Sequence, residues 1–223
     1  MKKTLTWMLC LLIGLGLLTG CSASPTAFEE KSYTAQASIT ALQIDVADRK
    51  IEIEPSPDGR IHLIYRENNK EFYEISQTDG NTLVVTGKEN KEWSDFIGTN
   101  SSLQDRTIQL QIPEEGLSSL QISTTNEDLS LPALSVTDRA SITVNNGSIT
   151  AERLDAGAAI ELQAKNGSVT GTIVGGYDDF AISCEVKKGE SNLPEKKEGG
   201  EKSLLVSVNN GDVNLDLQSN AEQ

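Results

Sequence analysis

A repeat of 20 to 22 residues runs through the C-terminal half of this 223-residue chain. Asn126, Asn146 and Asn166 are 20 residues apart, and Asn210 follows after a further 44, which is two repeats of 22. The intervening copy keeps a glycine, Gly189, and loses the asparagine. A fixed period of this size is typical of architectures in which similar units stack on one another. The repeat therefore constrains the fold more than any other feature of the sequence.

Apolar residues alternate with polar ones on both sides of each turn, which predicts strands with one buried face. The buried positions are mostly small aliphatic residues. Asn-Gly suits a tight reversal, because glycine has no side-chain clash at positive φ and asparagine tolerates the left-handed region. The predicted turn residues are Asn126, Asn146, Gly147, Asn166, Gly167, Gly189, Asn210 and Gly211.

Two folds are compatible with this pattern. An antiparallel meander with a hairpin at each Asn-Gly would also bury alternate residues. A meander has no reason to hold its period, whereas a changed length breaks the columns of a stacked coil. Aromatic residues are absent between Ile97 and Gly176, which suits a narrow, layered interior. We therefore expect an all-β chain, folded as a single-stranded β-helix (a β-solenoid) with Asn-Gly turns every 20–22 residues, preceded by a few N-terminal strands.

The predicted β-helix domain spans residues 38–218, and residues 219–223 form a C-terminal tail. Residues 42–53 repeat the alternation about Asp48 and Arg49, so a degenerate copy of the motif opens the domain. Further strands are predicted between segments rich in turn formers, at residues 61–66, 82–86 and 107–112.

Two polar segments, residues 87–105 and 187–202, are predicted to project from the stack as loops. Repeat proteins commonly place binding residues on such loops. The first segment contains Trp93 and Phe96, which would alternatively cap the hydrophobic end of the stack.

The first 20 residues have the form of a secretory signal, with Lys2 and Lys3 before a largely apolar run. The string Leu18-Thr19-Gly20-Cys21 resembles the lipobox of bacterial lipoproteins, in which the cysteine is diacylated and begins the mature chain. Two acyl chains suffice for stable anchoring, whereas one is marginal. We predict a signal peptide over residues 1–20, lipid attachment at Cys21, a polar tether over residues 21–37, and location on the extracytoplasmic face of the cell membrane.

The three cysteines have separate fates in this interpretation. Cys10 leaves with the signal and Cys21 carries the lipid, so Cys184 remains alone and no internal disulfide forms. Cys184 falls in the same column as Ile142 and Leu162. We therefore expect a buried core thiol rather than a reactive one.

The chain is strongly acidic, with 19 basic and 33 acidic residues and a formal net charge of -14. Removing the signal with its two lysines leaves 17 basic residues and a net charge of -16. Binding to nucleic acid requires clustered Lys and Arg, so a nucleic-acid partner is excluded. Cationic peptides or basic protein segments would be attracted, although plain solubility explains the same charge.

The turn copies at residues 146–149, 166–169 and 210–213, with the strand pair at 42–53 and the string Ile108-Gln109-Leu110-Gln111-Ile112-Pro113, resemble the DUF4097 adhesin-like family. The resemblance covers residues 38–217 and implies a single-stranded β-helix. The role of that family is largely unassigned, and its adhesin label rests on fold analogy. No functional residue carries over, because the matching positions belong to turns and core.

The expected function is a membrane-anchored surface lipoprotein whose β-helix is an adhesin-like, non-catalytic binding or scaffold module. Its partner would be an envelope protein, a peptide or a glycan of unknown identity. Two alternatives stay open, namely an envelope-stress component that engages cationic antimicrobial peptides and a polysaccharide-active β-helix enzyme. The sequence contains one histidine, His62, and no recognisable nucleophile or metal motif. We therefore predict no catalytic residue, no cofactor and no metal.

Overall fold

The computed structural model describes residues 27–36, 39–78, 81–91 and 101–219. These residues form seventeen strands and one single-turn 3-10 helix, Tyr177–Asp179, so the all-β prediction is confirmed. The strands are β1 (Glu29–Thr34), β2 (Ala41–Asp45), β3 (Lys50–Pro55), β4 (His62–Glu67), β5 (Glu71–Gln77), β6 (Thr82–Glu89), β7 (Thr107–Ile112), β8 (Leu117–Thr124), β9 (Leu129–Leu131), β10 (Leu134–Asn146), β11 (Ile149–Ala156), β12 (Ala159–Asn166), β13 (Val169–Val174), β14 (Phe180–Lys188), β15 (Lys196–Lys197), β16 (Lys202–Asn210) and β17 (Val213–Gln218).

Two runs of parallel strands make up the body of the protein. The first run has the order β6-β2-β8-β10-β12-β16-β14, and the second has the order β7-β3-β9-β11-β13-β17. We call one strand of the first run, its corner and the following strand of the second run a coil. Neighbouring coils pair in register, so that Ile142 lies between Ile122 and Leu162. The arrangement is an open, solenoid-like stack.

The core lies between the two runs of strands and is filled by small aliphatic side chains in columns. One column of fully buried residues consists of Leu120, Ala140, Ile160 and Leu204. Burying a Leu or Ile side chain stabilises a fold by about 1.5–3 kcal/mol, and every coil contributes several such residues. The alternation seen in the sequence therefore translates directly into the packing of the stack.

The order of the coils in space differs from their order in the sequence at both ends of the stack. The β2/β3 coil lies between the β6/β7 coil and the β8/β9 coil. At the other end, the β16/β17 coil lies between the β12/β13 coil and β14. The degenerate copy with Gly189 is thus the terminal coil of the stack, although it falls in the middle of a 44-residue interval in the sequence.

The ends of the stack are covered by irregular segments. At the N-terminal end, β5 pairs antiparallel with β6, β4 pairs antiparallel with β7, and β1 pairs with β4. At the other end, residues 191–193 run beside β17, with Ser191 paired parallel to Val213, and the chain then folds back along β14. Leu193 in this segment is buried, and β15 pairs antiparallel with Ile182 and Ser183. The prediction that residues 187–202 project as a loop is therefore wrong, because Leu193 packs in the core, Ser191 pairs with β17 and β15 pairs with β14.

Candidate functional site

The turn asparagines form a row of hydrogen bonds along one corner of the stack. Asn146 Nδ2 donates to Asn126 Oδ1, Asn166 Nδ2 to Asn146 Oδ1, and Asn210 Nδ2 to Asn166 Oδ1, each at 2.6 Å. The row ends at a carboxylate, because Asn126 Nδ2 donates to Asp48 Oδ1. Each amide between the two ends of the row therefore donates to one coil and accepts from the next, which fixes the register of neighbouring coils.

Backbone conformation divides these corners into two kinds. Among the four turn asparagines, all in the described residues, Asn126 alone has a positive φ, of 65°. Glycine takes that role in the other three copies, with φ of 156° at Gly147, 154° at Gly167 and 145° at Gly211. Asparagine is thus needed in those copies for its side chain rather than for the left-handed region that the sequence analysis invoked.

Close approach of the backbones gives the corner glycines a second reason to be glycine. A Cβ atom at Gly167 would lie 2.0 Å from the carbonyl oxygen of Gly147. At Gly211 it would lie 2.3 Å from the oxygen of Gly167, and at Gly189 2.0 Å from the oxygen of Gly211. Real Cβ atoms do not approach backbone oxygens this closely, so a side chain here would force neighbouring coils apart.

A second row of hydrogen bonds runs beside the first, two residues after each turn asparagine. The Ser148 amide donates to Asp128 Oδ1 at 2.7 Å, and the Ser168 amide donates to Ser148 Oγ at 3.2 Å. The Asp212 amide donates to Ser168 Oγ at 3.1 Å, and the Glu190 amide to Asp212 Oδ1 at 2.9 Å. Sequence reasoning missed this row, although Asp or Ser recurs at that position in four copies.

The first corner of the stack, at Asp48 and Arg49, is built differently. Asp48 has a φ of 55° and accepts from the first amide of the row, as described above. Arg49 points inward and is only 3% exposed. Its Nη2 lies 2.6 Å from Glu71 Oε2, and its Nε donates to the Tyr73 hydroxyl at 2.8 Å. The sequence analysis placed a turn here but gave no sign of a buried ion pair.

Glu71 joins this corner to both ends of the chain segment between β6 and β7. It is 5% exposed, and its Oε1 accepts from Ser101 Oγ at 2.9 Å and lies 3.0 Å from Lys91 Nζ. Burial alone would raise the pKa of Glu71, but the hydrogen bond from Lys91 and the charge of Arg49 outweigh it. The pKa of Glu71 therefore lies below its usual value, and the carboxylate is ionised at neutral pH.

His62 lies in a short chain of hydrogen bonds at the edge of the N-terminal strands. Its Nε2 is 2.7 Å from Asp58 Oδ1, and its Nδ1 is 3.1 Å from Thr34 Oγ1. The hydrogen bond with His62, with others from Arg60, holds the pKa of Asp58 well below its usual range. A hydroxyl, an imidazole and a carboxylate in sequence can in principle activate a nucleophile. Here Thr34 belongs to a short edge strand, and the arrangement also fastens β1 to β4.

Cys184 is buried, and its Sγ lies 3.3 Å from Ser191 Oγ. It occupies the inner face of β14, opposite Val206. Among the described residues, no group of three or more His, Cys, Asp or Glu side chains could hold a metal ion.

Several predicted features lie outside the described residues. They are Cys21 with the signal peptide and the first part of the tether, and the aromatic residues Trp93 and Phe96. In the part of the chain that the structure describes, no helix is long and apolar enough to cross a membrane.

The outer surfaces of the two runs of strands differ in charge. We call the outward-facing residues of β8, β10, β12 and β16, with Thr125, the neutral face; its charged residues include two acids, Asp138 and Glu161, and two bases, Arg139 and Lys165. We call those of β9, β11, β13 and β17, with the adjoining corner residues, the acidic face; its charged residues include five acids, Asp128, Glu152, Asp155, Asp212 and Asp216, and one base, Arg153.

A groove of about 740 Å³ continues the neutral face at the C-terminal end of the stack. It is lined by residues 181–186 of β14, by Ser203 and Leu205 of β16, and by residues 195–199, and its charged lining residues are Glu185, Glu195, Lys196, Lys197 and Glu198. Leu205 is 42% exposed.

The stacked coils, the asparagine corners and the open, polar faces define a class of repetitive β protein. The family described as Toastrack DUF4097 matches residues 39–174, and the chain belongs to this family. The resemblance inferred from the turn copies is thereby confirmed. No significant match to a curated protein was found.

A solved structure shares this fold at low sequence identity. A "putative cell adhesion protein" from Clostridium sporogenes ATCC 15579 aligns with a TM-score of 0.55 at 11% identity, covering 86% of this chain and 100% of that one. A "putative adhesin" from Bacteroides fragilis NCTC 9343 gives a TM-score of 0.34 at 11% identity, covering 86% and 98% of the two chains. The first of these similarities supports the fold, and at this identity it supports nothing further.

Proposed function

We propose that this protein is a lipid-anchored module of the bacterial cell envelope that binds or scaffolds a partner without catalysis. The observation that carries the proposal is the in-register stack, whose interior is filled by aliphatic side chains and whose two long faces are open. Such a body presents a rigid, regular surface, as a binding module requires. The similarity to a structure described as a "putative cell adhesion protein" is in keeping with this role.

The same proposal includes a finer description of the fold. We interpret the stack as a single-stranded β-solenoid in which the Asn-Gly corner, repeated every 20–22 residues, is the unit of assembly. The rows of side-chain hydrogen bonds at the corners support this interpretation.

Lipid attachment at Cys21 is tested by fractionating cells that express the full chain. The wild-type protein should sediment with membranes and incorporate labelled palmitate, whereas Cys21→Ala should lose the label and leave the membrane fraction. Cys10→Ala, which lies within the predicted signal, is the matched control and should retain both properties. A Cys21→Ala protein that stays labelled and membrane-bound would show that the anchor is elsewhere.

Capture of cationic peptides is a second candidate, favoured by the excess of acids over bases on the acidic face. Attraction between exposed charges is screened over about 8 Å at physiological ionic strength. Binding of a basic peptide should therefore weaken strongly between 20 mM and 500 mM salt. Salt-independent binding would count against this candidate.

An enzymatic role is a third candidate, and the hydrogen-bonded chain of Thr34, His62 and Asp58 is the observation that favours it. The test is a screen for cleavage of polysaccharides with calcium present, using the wild-type protein and His62→Ala. Cleavage that His62→Ala abolishes would replace the non-catalytic proposal. We expect no cleavage by either protein.

A further inference from the structure

β1 shortens the connection between the predicted lipid and the folded stack. The strand lies within the segment predicted as a tether, and it pairs antiparallel with β4 along its full length. Cys21 therefore precedes the first strand, which begins at Glu29, by only eight residues. Eight residues span at most about 28 Å when fully extended. A protein anchored at Cys21 thus holds the end of the stack that carries β1 close to the bilayer.

A shallow basin of about 290 Å³ lies beside β1, on the outer surface of the strands at this end of the stack. We call it the proximal basin. It is lined by Glu30, Lys50, Glu52, Ile64, Arg66 and Leu103, and its other lining residues are uncharged. Ile64 is 38% exposed and Leu103 48%. In the part of the chain that the structure describes, only two other large hydrophobic residues are exposed, and both lie toward the C-terminal end of the stack.

The charged residues of the proximal basin are paired with one another. Lys50 Nζ lies 2.6 Å from Glu52 Oε1, and Arg66 Nη2 lies 3.2 Å from Glu30 Oε2. The lining thus has two acids and two bases, and Asp105 adds one acid at the rim, where its Oδ1 lies 3.6 Å from Arg66 Nη1. Exposed apolar side chains within a ring of paired charges match a bilayer surface, where zwitterionic headgroups cover an apolar interior.

We propose that the proximal basin docks on the headgroup layer of the bilayer that holds the Cys21 lipid. Ile64 and Leu103 enter the boundary between headgroups and acyl chains, while Lys50 and Arg66 keep their charged ends among the headgroups. Two partly exposed aliphatic residues bind weakly on their own. The short connection raises the effective concentration of bilayer surface, so weak binding suffices.

This inference rests on the proposed anchor and names the surface by which the anchored module meets the membrane. It also assigns the two ends of the stack to different surroundings. The groove beside β14 lies six strand spacings from β6, or about 29 Å along the stack. Docking at the proximal basin therefore leaves that groove free for a partner.

The test uses the full chain, lipidated in cells and reconstituted in phosphatidylcholine vesicles that contain a nitroxide-labelled lipid. A fluorophore on Gln104→Cys, in the proximal basin, should be quenched by the nitroxide. A fluorophore on Glu198→Cys, in the groove at the far end, should not be quenched. Cys184 is buried and the Cys21 sulfur carries lipid, so neither competes for the label. Equal quenching at both sites, or none at Gln104, would overturn the proposal.

A lengthened connection separates docking from enforced proximity. Inserting about 20 Gly and Ser residues between Ser24 and Pro25 adds up to roughly 70 Å of reach. We expect the label at Gln104 to stay quenched in the lengthened protein, because the basin itself binds the headgroup layer. Loss of quenching on lengthening alone would show that the connection imposes the proximity, and the proposal would fail.

Two double variants of the lengthened protein test the apolar contacts. Ile64→Ser/Leu103→Ser should lose the quenching at Gln104. Tyr177→Ser/Leu205→Ser is the matched control, because it removes the two other exposed large hydrophobic residues, and it should keep the quenching. Thermal unfolding should show that both variants are folded, and equal quenching in the two would contradict the proposal. A wild-type dimer in detergent, dissociated by Ile64→Ser/Leu103→Ser, would assign the basin to a second copy of the chain instead.

Failure of the anchor and failure of docking give different results. Without lipid on Cys21 the protein would neither incorporate labelled palmitate nor reconstitute, and both proposals would fail. A lipidated, reconstituted protein whose label at Gln104 is quenched no more than the label at Glu198 would retain the anchor and remove the docking surface.

Discussion

The central corners and the first corner of the stack both connect neighbouring coils, but they do so with different chemistry. At Asn146 and Asn166 the chain turns through a glycine, and exposed amides connect the coils. At the first corner Asp48 ends the amide row, and Arg49 turns inward to a buried carboxylate, Glu71. An amide row can continue only where the next coil has a corner of the same shape.

The β6/β7 coil has no such corner, because residues 90–106 separate its two strands. The row of asparagine amides therefore ends at the carboxylate of Asp48. The buried ion pair between Arg49 and Glu71 attaches the next coil. The comparison teaches that periodic corners depend on the absence of a side chain, whereas the aperiodic corner depends on matched charges. The four predictions below test that distinction.

The largest effect is expected at a central glycine. In Gly167→Ala the new Cβ would lie 2.0 Å from the Gly147 oxygen, at a φ of 154°. We expect a loss of about 4 kcal/mol in the free energy of unfolding, measured by urea denaturation with circular dichroism. The control is Gly116→Ala, where φ is 96° and no atom lies within 4 Å, so the loss should be about 1 kcal/mol. Similar losses at both sites would show that close approach is unimportant.

The next largest effect is expected at the first corner. Glu71→Ala leaves Arg49 buried without its partner carboxylate, and removing one member of a buried pair costs about 3 kcal/mol. Replacing both charges, in Arg49→Met/Glu71→Leu, should restore much of the loss, because apolar residues of similar volume tolerate burial. A double variant no more stable than Glu71→Ala would argue against charge pairing as the reason for the effect.

A smaller effect is expected in the pH dependence of stability. The folded-state pKa of Glu71 lies below its ordinary value of 4.5, so its ionised form stabilises the fold above that pH. The contribution is lost as pH falls through the folded-state pKa. Glu71→Gln should be about 2 kcal/mol less stable than the wild type at pH 7, and the difference should shrink below pH 4.5. A difference that stays constant down to pH 3 would contradict this assignment.

The smallest effect is expected for a single amide of the row. Asn146→Ala removes the hydrogen bonds to Asn126 and Asn166, but all three side chains are exposed to water. We expect a loss of about 1 kcal/mol. Asn145→Ala, one residue earlier on the neutral face, is the control and should change stability by less than about 0.5 kcal/mol. A larger loss at Asn145 than at Asn146 would show that the amide row does not stabilise the corner.

The period and the alternation were sufficient to predict the buried columns of the central coils. Ile142 and Leu162 follow from spacing alone, because each coil repeats the same local pattern. The glycine positions in the turns could also be predicted. The left-handed backbone conformation expected of the turn asparagines applied to Asn126 only. Local conformation and side-chain spacing are properties that a repeat encodes within one copy.

The end coils could not be predicted, because their position depends on contacts between copies. The antiparallel return of β15 along β14 could not be predicted, since Lys196 and Lys197 lie in a segment that is polar and rich in Lys, Glu and Gly. Likewise, the partner of Arg49 lies 22 residues away on a strand that has no place in the repeat. The neutral and acidic faces could be recognised in the sequence only after the strands had been assigned to the two runs.

The exchanged order of the coils places the β16/β17 coil inside the stack. The chain's last coil, β16/β17, is an interior layer, so a further repeat added at the C-terminus would meet a neighbour already in place on each side. Duplication of the final unit would therefore not lengthen the stack. Removing that unit would open a gap inside the stack rather than shorten it, and β14 would lose its parallel pairing with β16.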